Sequence, residues 1–296
     1  MTEGRDDAPL RVLLSFAYYG QADLRALRRR LAMEAGRPVQ VLADSGAFTM
    51  HTQGRPISLA AYSEWLGRNR RDLAHYAVLD VINDPGATSR NLALMEAVQL
   101  RPLPVFHGGS PWGVLESYCD SHPYVALGGL AAGADRAERL PWLGRAFTIA
   151  QRAGTALHGF AVSAWRELLD FPWYSVDASS WGQAHRYGTV PLFADGRWAR
   201  VHAGDRAAYR QGDLLREHGL SPEQVADRGR WNYLDAAGAS AVAWWRAQEW
   251  LRRRHGPVAG PGRPGLHLYL VDGSPPNLYA AARGIGAYHR RRRAAG

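Results

Sequence analysis

Carboxylates and histidines in this sequence recur at one kind of place, the end of an apolar run. The run "VQVLAD" (39–44) ends in Asp44 and is followed by "SGAF". Asp80 falls in "YAVLDV" (76–81), His107 in "LPVFHG" (103–108), and Gly128-Gly129 close "YVALGG" (124–129). His158-Gly159 lie in "ALHGFAV" (156–162), Asp177 in "YSVDAS" (174–179), and Asp272 follows "LHLYLV" (266–271). A carboxylate inside an otherwise buried strand needs partners or a purpose, because an unpaired buried charge is costly. Two aspartates gathered at one mouth suit chemistry at an anomeric carbon. One carboxylate attacks C1′ and forms a covalent glycosyl intermediate; the other gives a proton to the departing group and later recovers it. A flat aromatic wall with a few edge-on hydrogen bonders would suit a purine-like leaving group, and Phe48 and Phe160 each lie just beyond a strand end. Each motif is ordinary alone. Asp-Ser-Gly is a common turn, a glycine pair also serves tight packing, and a lone histidine is often a satisfied core residue. Their joint position is the signal.

The elements that would hold these groups are short apolar strands alternating with helical patterns. Strands are expected at the runs above and at "RVLLSF" (11–16). Between them lie stretches such as "ADLRALRRRLAMEAG", stopped by Gly36 and Pro38, and "ISLAAYSEWLGRNRRDL", with Ser58 available as N-cap. Repeated alternation predicts an α/β protein with a parallel sheet, closed as a (β/α)8 TIM barrel, with an open doubly wound sheet as the alternative. The first turn, "SFAYYG", is no glycine-rich dinucleotide loop. The interval between the seventh and eighth strands is long. It predicts an insertion over 182–230, a capping box at Ser221-Pro222-Glu223-Gln224, and a helix with an aromatic face over 231–255. One domain, 1–296, is expected, with a loop over 256–265 and a frayed basic tail over 288–296.

The formal net charge of +9, carried mostly by arginine, favours a polyanionic partner, since the guanidinium fork matches phosphate. Arginines cluster in "LRRRL", "RNRRD", "WLRRRHG" and "YHRRRR". The single cysteine, Cys119, excludes an internal disulfide and a cysteine-rich zinc subdomain, and reads as a packing residue. No His/Asp spacing suggests a metal cage, so no metal or organic cofactor is expected. No apolar run approaches the ~20 residues of a membrane span. The polar start "MTEGRDDAPL" is no secretory signal. A cytoplasmic protein that does not engage membrane is expected.

In order and spacing these strand ends resemble the tRNA-guanine transglycosylases and their DNA-modifying relatives. "DSGAF" (44–48) is similar to the family's D-S-G-G-[YF]-Q, with Ala47 and Thr49 replacing glycine and glutamine. "VFHGG" puts His107 at the family's base-reading glutamine, and "GGLAAG" (128–133) is nearly its G-G-L-A-x-G loop. "SVDAS" is similar to the F-D-[CS] nucleophile motif. The family's zinc motif is missing and no appended RNA-binding domain is expected, so the chain looks closer to the phage and bacterial DNA 7-deazaguanine transglycosylases, whose corresponding piece is "FPWYSVDASSWGQAHRYG" here. The resemblance implies that Asp177 attacks the deoxyribose C1′ and that Asp44 handles the proton. It implies that Phe48 and Phe160 sandwich the base while Asp80, His107 and the Gly128, Gly129 and Leu130 backbone read its edge. The partners implied are DNA, with tRNA as the alternative polymer, and a free 7-deazaguanine base, such as preQ0 or a close relative, as co-substrate. Trp181 and Arg186 would help hold the strand, and an auxiliary protein could open the duplex. For a phage-encoded chain the place of action would be the host cytoplasm. A zinc-free tRNA enzyme and an N-glycosidase are the alternatives.

Overall fold

The apolar runs become strands where each can be buried on both faces, which is what a parallel sheet covered by helices requires. A computed structural model describes residues 8–47, 53, 56–130 and 136–295. Eight strands form one parallel sheet: β1 (Leu10–Ser15), β2 (Val39–Asp44), β3 (His75–Tyr76), β4 (Val105–His107), β5 (Tyr124–Gly128), β6 (Ala156–Gly159), β7 (Ser175–Ala178) and β10 (His267–Val271). Their order is β3-β2-β1-β10-β7-β6-β5-β4. The sheet curls until its edges meet. Ala77 and Leu103 form a parallel bridge between the β3 and β4 sides, with the Val78 N–H donating to Leu103 O at 3.0 Å and the Leu103 N–H to Tyr76 O at 2.8 Å. The protein is thus mixed α/β with a curled eight-stranded parallel sheet, consistent with a (β/α)8-like fold.

The strand predicted over 76–81 stops early. Its later backbone groups are taken by side chains of the next helix, Pro85–Ala97. Thr88 Oγ1 accepts the Val81 N–H at 2.9 Å, and Asn91 Nδ2 donates to Leu79 O at 2.8 Å. Such local bonds compete directly with a ladder, and they turn the chain at Asp80.

Helix boundaries follow their capping signals. Leu24–Ala35 starts at Asp23, whose side chain accepts the Ala26 N–H, and ends at Gly36 in the left-handed region. Leu59–Asn69 is capped by Ser58, and Pro222–Ala226 carries the full Ser221/Gln224 capping box. Cys119 is buried in the helix Trp112–Ser121.

Between β7 and β10 the chain adds an antiparallel hairpin, β8 (Thr189–Ala194) with β9 (Arg197–His202), and several short helices. This stretch has its own apolar cluster around Val190, Leu192, Leu215 and Val225. The helix Tyr233–His255 spans from that cluster to the main core, its predicted aromatic face placing Trp244 and Trp245 inward. The predicted frayed tail is instead the end of the helix Pro275–Ala295. Tyr288 and His289 are buried, and Arg292 pairs with Glu249 at 3.3 Å, so packing against Tyr233–His255 holds the basic turns in register. No helix among the described residues is long and apolar enough to cross a membrane.

Candidate active site

All eight parallel strands point their C-terminal ends one way, so groups at those ends meet whatever their distance in sequence. A cavity of about 570 Å³ opens there. It brings together Asp44, Asp80, His107 and Asp177, the backbone of Gly128, Gly129 and Leu130, and the Phe160 ring. Phe48 lies outside the described residues.

Asp44 is the last residue of β2, and the turn after it is built to hold its carboxylate. The Gly46 N–H donates to Oδ2 at 2.9 Å. Gly46 has φ +80°, and a Cβ there would lie 2.3 Å from Ser15 Oγ, so only glycine lets this turn fold against β1. Ser45, fully buried, accepts the Ala47 N–H at 3.1 Å and donates to Asp80 Oδ1 at 3.3 Å. Burial, then the neighbouring Asp80 carboxylate, push the Asp44 pKa up to about 7, with Asp177 adding to the effect. A carboxyl poised there can both give and accept a proton near neutrality.

Asp80 and His107 form the next stretch of wall, beside the Asp44 turn. His107 Nε2 lies 3.2 Å from Asp80 Oδ2. Beside them β5 ends in Gly128, where a Cβ would meet His107 Cε1 at 2.6 Å, so glycine gives the imidazole its place. The following turn is fixed by Arg139, which donates to Leu130 O at 2.8 Å and pairs with buried Glu167.

Asp177 sits in β7 and is 6 % exposed. Its Oδ1 accepts the Ala161 N–H at 3.0 Å, and His158 Nε2 lies 3.3 Å from the same oxygen. Ala161 has φ +57°, an uncommon conformation for a residue with a side chain, and it aims that N–H at the carboxylate. His158 is completely buried against Phe160, with ring centroids 4.6 Å apart.

Of the two expected strand contacts, one is buried and the other is partly exposed. The Trp181 ring is fully buried and donates its indole N–H to Val271 O at 2.9 Å, which leaves no face for a nucleotide. Arg186 donates to Asp272 Oδ2 at 3.2 Å. Asp272 lines no part of the cavity. It ties together His185, Arg186, the Ser274 N–H and Asn277, and although burial opposes it, those hydrogen bonds hold its carboxyl below the usual range.

Ser45, Ala161 and Asn83 join the site without having been singled out. Asn83 lines the cavity at φ +61°. The serine was visible beside Asp44; the positive φ values of the other two leave no mark in residue type. A second groove of about 580 Å³, lined by Arg216, Arg246, Arg253, Arg291 and Arg292 among others, shares no residue with the first. Among the described residues, no group of three or more His, Cys, Asp or Glu is arranged to hold a metal ion. No family model matches the chain, and no curated protein matches it.

Proposed function

We propose that this chain exchanges guanine in DNA for a 7-deazaguanine base, as the DNA-modifying guanine transglycosylases that it resembles do. The observation that carries this reading is that Asp44 and Asp177 line one cavity in different surroundings. Burial beside Asp80 pushes Asp44 towards the protonated form, whereas Asp177 accepts the Ala161 N–H on Oδ1 and, among the described residues, has no hydrogen bond or ion pair on Oδ2. That is the division of labour an acid/base and a nucleophile need.

In this reading the fold is a closed (β/α)8 barrel with 182–230 inserted before its last strand. An Asp177 oxygen bonds to C1′ as the C1′–N9 bond of the nucleotide breaks, and the departing guanine takes the Asp44 proton. The incoming 7-deazaguanine then gives its N9 proton to the Asp44 carboxylate. N9 bonds to C1′, and the ester bond to Asp177 breaks. Phe160 supplies one aromatic wall and Phe48 the other, while Asp80, His107 and the Gly128–Leu130 backbone meet the base edge. The target base leaves the stack to reach the cavity, which costs a few kcal/mol and favours single-stranded or opened DNA.

The test is incorporation of radiolabelled guanine into DNA and, in parallel, into tRNA. Label entering DNA alone is the expected result. Label entering tRNA alone would keep the chemistry and overturn the polymer. Release of free base without incorporation would replace exchange by N-glycosidic hydrolysis.

A further inference from the structure

Below the cavity, side chains of three strands form a polar chain that the proposed chemistry does not use. Tyr124 on β5 hydrogen-bonds through its hydroxyl to Ser175 Oγ on β7. Ser175 Oγ lies 2.7 Å from His158 Nδ1 on β6, and His158 Nε2 faces Asp177 Oδ1 at 3.3 Å. Ser175 and His158 are completely inaccessible and Tyr124 nearly so. Buried polar groups without function are ordinarily replaced by apolar ones at no loss, so a chain of this length asks for a reason.

For a neutral imidazole, the hydrogen count along the chain has one arrangement that turns an N–H towards Asp177. Burial raises the Tyr124 hydroxyl pKa well above its usual value, so that group remains a donor. If Tyr124 donates to Ser175, the single serine proton is free for His158 Nδ1, which then accepts. The imidazole therefore carries its proton on Nε2 and directs it at the carboxylate. The opposite tautomer would set an Nε2 lone pair against a carboxylate lone pair. The His158 N–H is not yet in line with Oδ1, as catalytic hydrogen bonds commonly are not before substrate binds.

We infer that His158 is a positioning residue for Asp177, its tautomer set by the Tyr124–Ser175 relay, and that it reserves Oδ2 as the attacking oxygen. This rests on the base-exchange reading of Asp177. Ala161 N and His158 Nε2 both address Oδ1. Among the described residues no hydrogen bond or ion pair engages Oδ2. The Ala161 N–H, joined by the His158 N–H once that comes into line, stops the carboxylate from rotating and holds one oxygen back from the sugar. When Asp177 is displaced from C1′ in the second half of the reaction, the same donors stabilise the returning negative charge.

The test combines kinetics of guanine exchange with 15N spectra of histidine-labelled protein. Ser175→Ala removes one hydroxyl from the relay and little volume. It is expected to lower kcat about tenfold with KM for polymer and base unchanged, and His158→Leu to lower it about 10- to 100-fold. His158→Gln, which keeps an N–H donor near the Nε2 position, is expected to recover most of that loss. The spectra are expected to show His158 protonated at Nε2 alone in the wild type and a mixture of tautomers in Ser175→Ala. A wild-type His158 protonated at Nδ1, or kcat unchanged in both Ser175→Ala and His158→Leu, overturns the inference. Equal losses in His158→Gln and His158→Leu also overturn it, since they mark a purely packing role. A wild type that exchanges no base yet shows the Nε2–H form supports the relay and sinks the base-exchange reading instead.

Discussion

At the scale of single residues, the site works by giving chemically identical side chains different surroundings. Asp44 lies beside two other carboxylates in a buried turn, and its pKa stands at about 7 against 3.8 for an ordinary aspartate. The folded state therefore holds the Asp44 proton more tightly than the unfolded chain does. Its contribution to stability is full below about pH 4, is lost as pH rises towards 7, and is a constant cost above that. Asp44→Asn removes this cost. It is expected to raise the thermal midpoint at pH 8 relative to the wild type, with the gain gone by pH 4, while abolishing base exchange. A midpoint difference that does not change with pH would show that the carboxyl is not held protonated. Of these residues, Asp44, Asp80, His107 and Asp177 were legible because each interrupts or ends an apolar run. The Asp177 partner Ala161 was not. Its role comes from a backbone N–H at φ +57°, and neither the identity of alanine nor its spacing encodes that.

At the scale of elements, strand ends were legible where hydrogen-bonding demand is met by the sheet itself, as in β2 and β5. They were not where distant side chains intervene. The early end of β3 depends on Thr88 and Asn91, which belong to the following helix and bond back to 79–81. The last helix was misread for a related reason. A run of four arginines looks solvated, but Tyr288 and His289 just before it anchor the turn against Trp245, with the His289 and Trp245 ring centroids 5.2 Å apart. The two long helices, Tyr233–His255 and Pro275–Ala295, cross where Gly238 meets Gly284. A Cβ on Gly284 would lie 2.6 Å from the Gly238 Cα. Gly284→Val forces the helices apart and is expected to cost about 1–3 kcal/mol of unfolding free energy in urea titrations. Since neither glycine lines the cavity, exchange by the folded variant should be retained. A variant as stable as the wild type would mean that the crossing relaxes without strain.

At the scale of the whole molecule, the net charge of +9 is not spread as bare arginine. Arg28 pairs with Asp72 in the turn after Leu59–Asn69, Arg246 with Glu217 and Arg283 with Glu34, so part of the basic excess ties separate elements together. Both long helices run away from the cavity end of the sheet, so the arginine-lined groove along their later turns lies apart from the cavity. The proposed chemistry needs a polymer whose sugar reaches Asp177, and it makes one demand that no binding protein and no direct hydrolase shares: the polymer must become covalently attached to this one side chain. The most direct measurement is to mix the protein with single-stranded DNA, denature rapidly, and read the adduct by gel shift and peptide mass. A DNA adduct located at Asp177, lost in Asp177→Ala and discharged by free guanine, is the predicted result. Base exchange proceeding at full rate in Asp177→Ala, or an adduct that maps to another residue, would contradict the account.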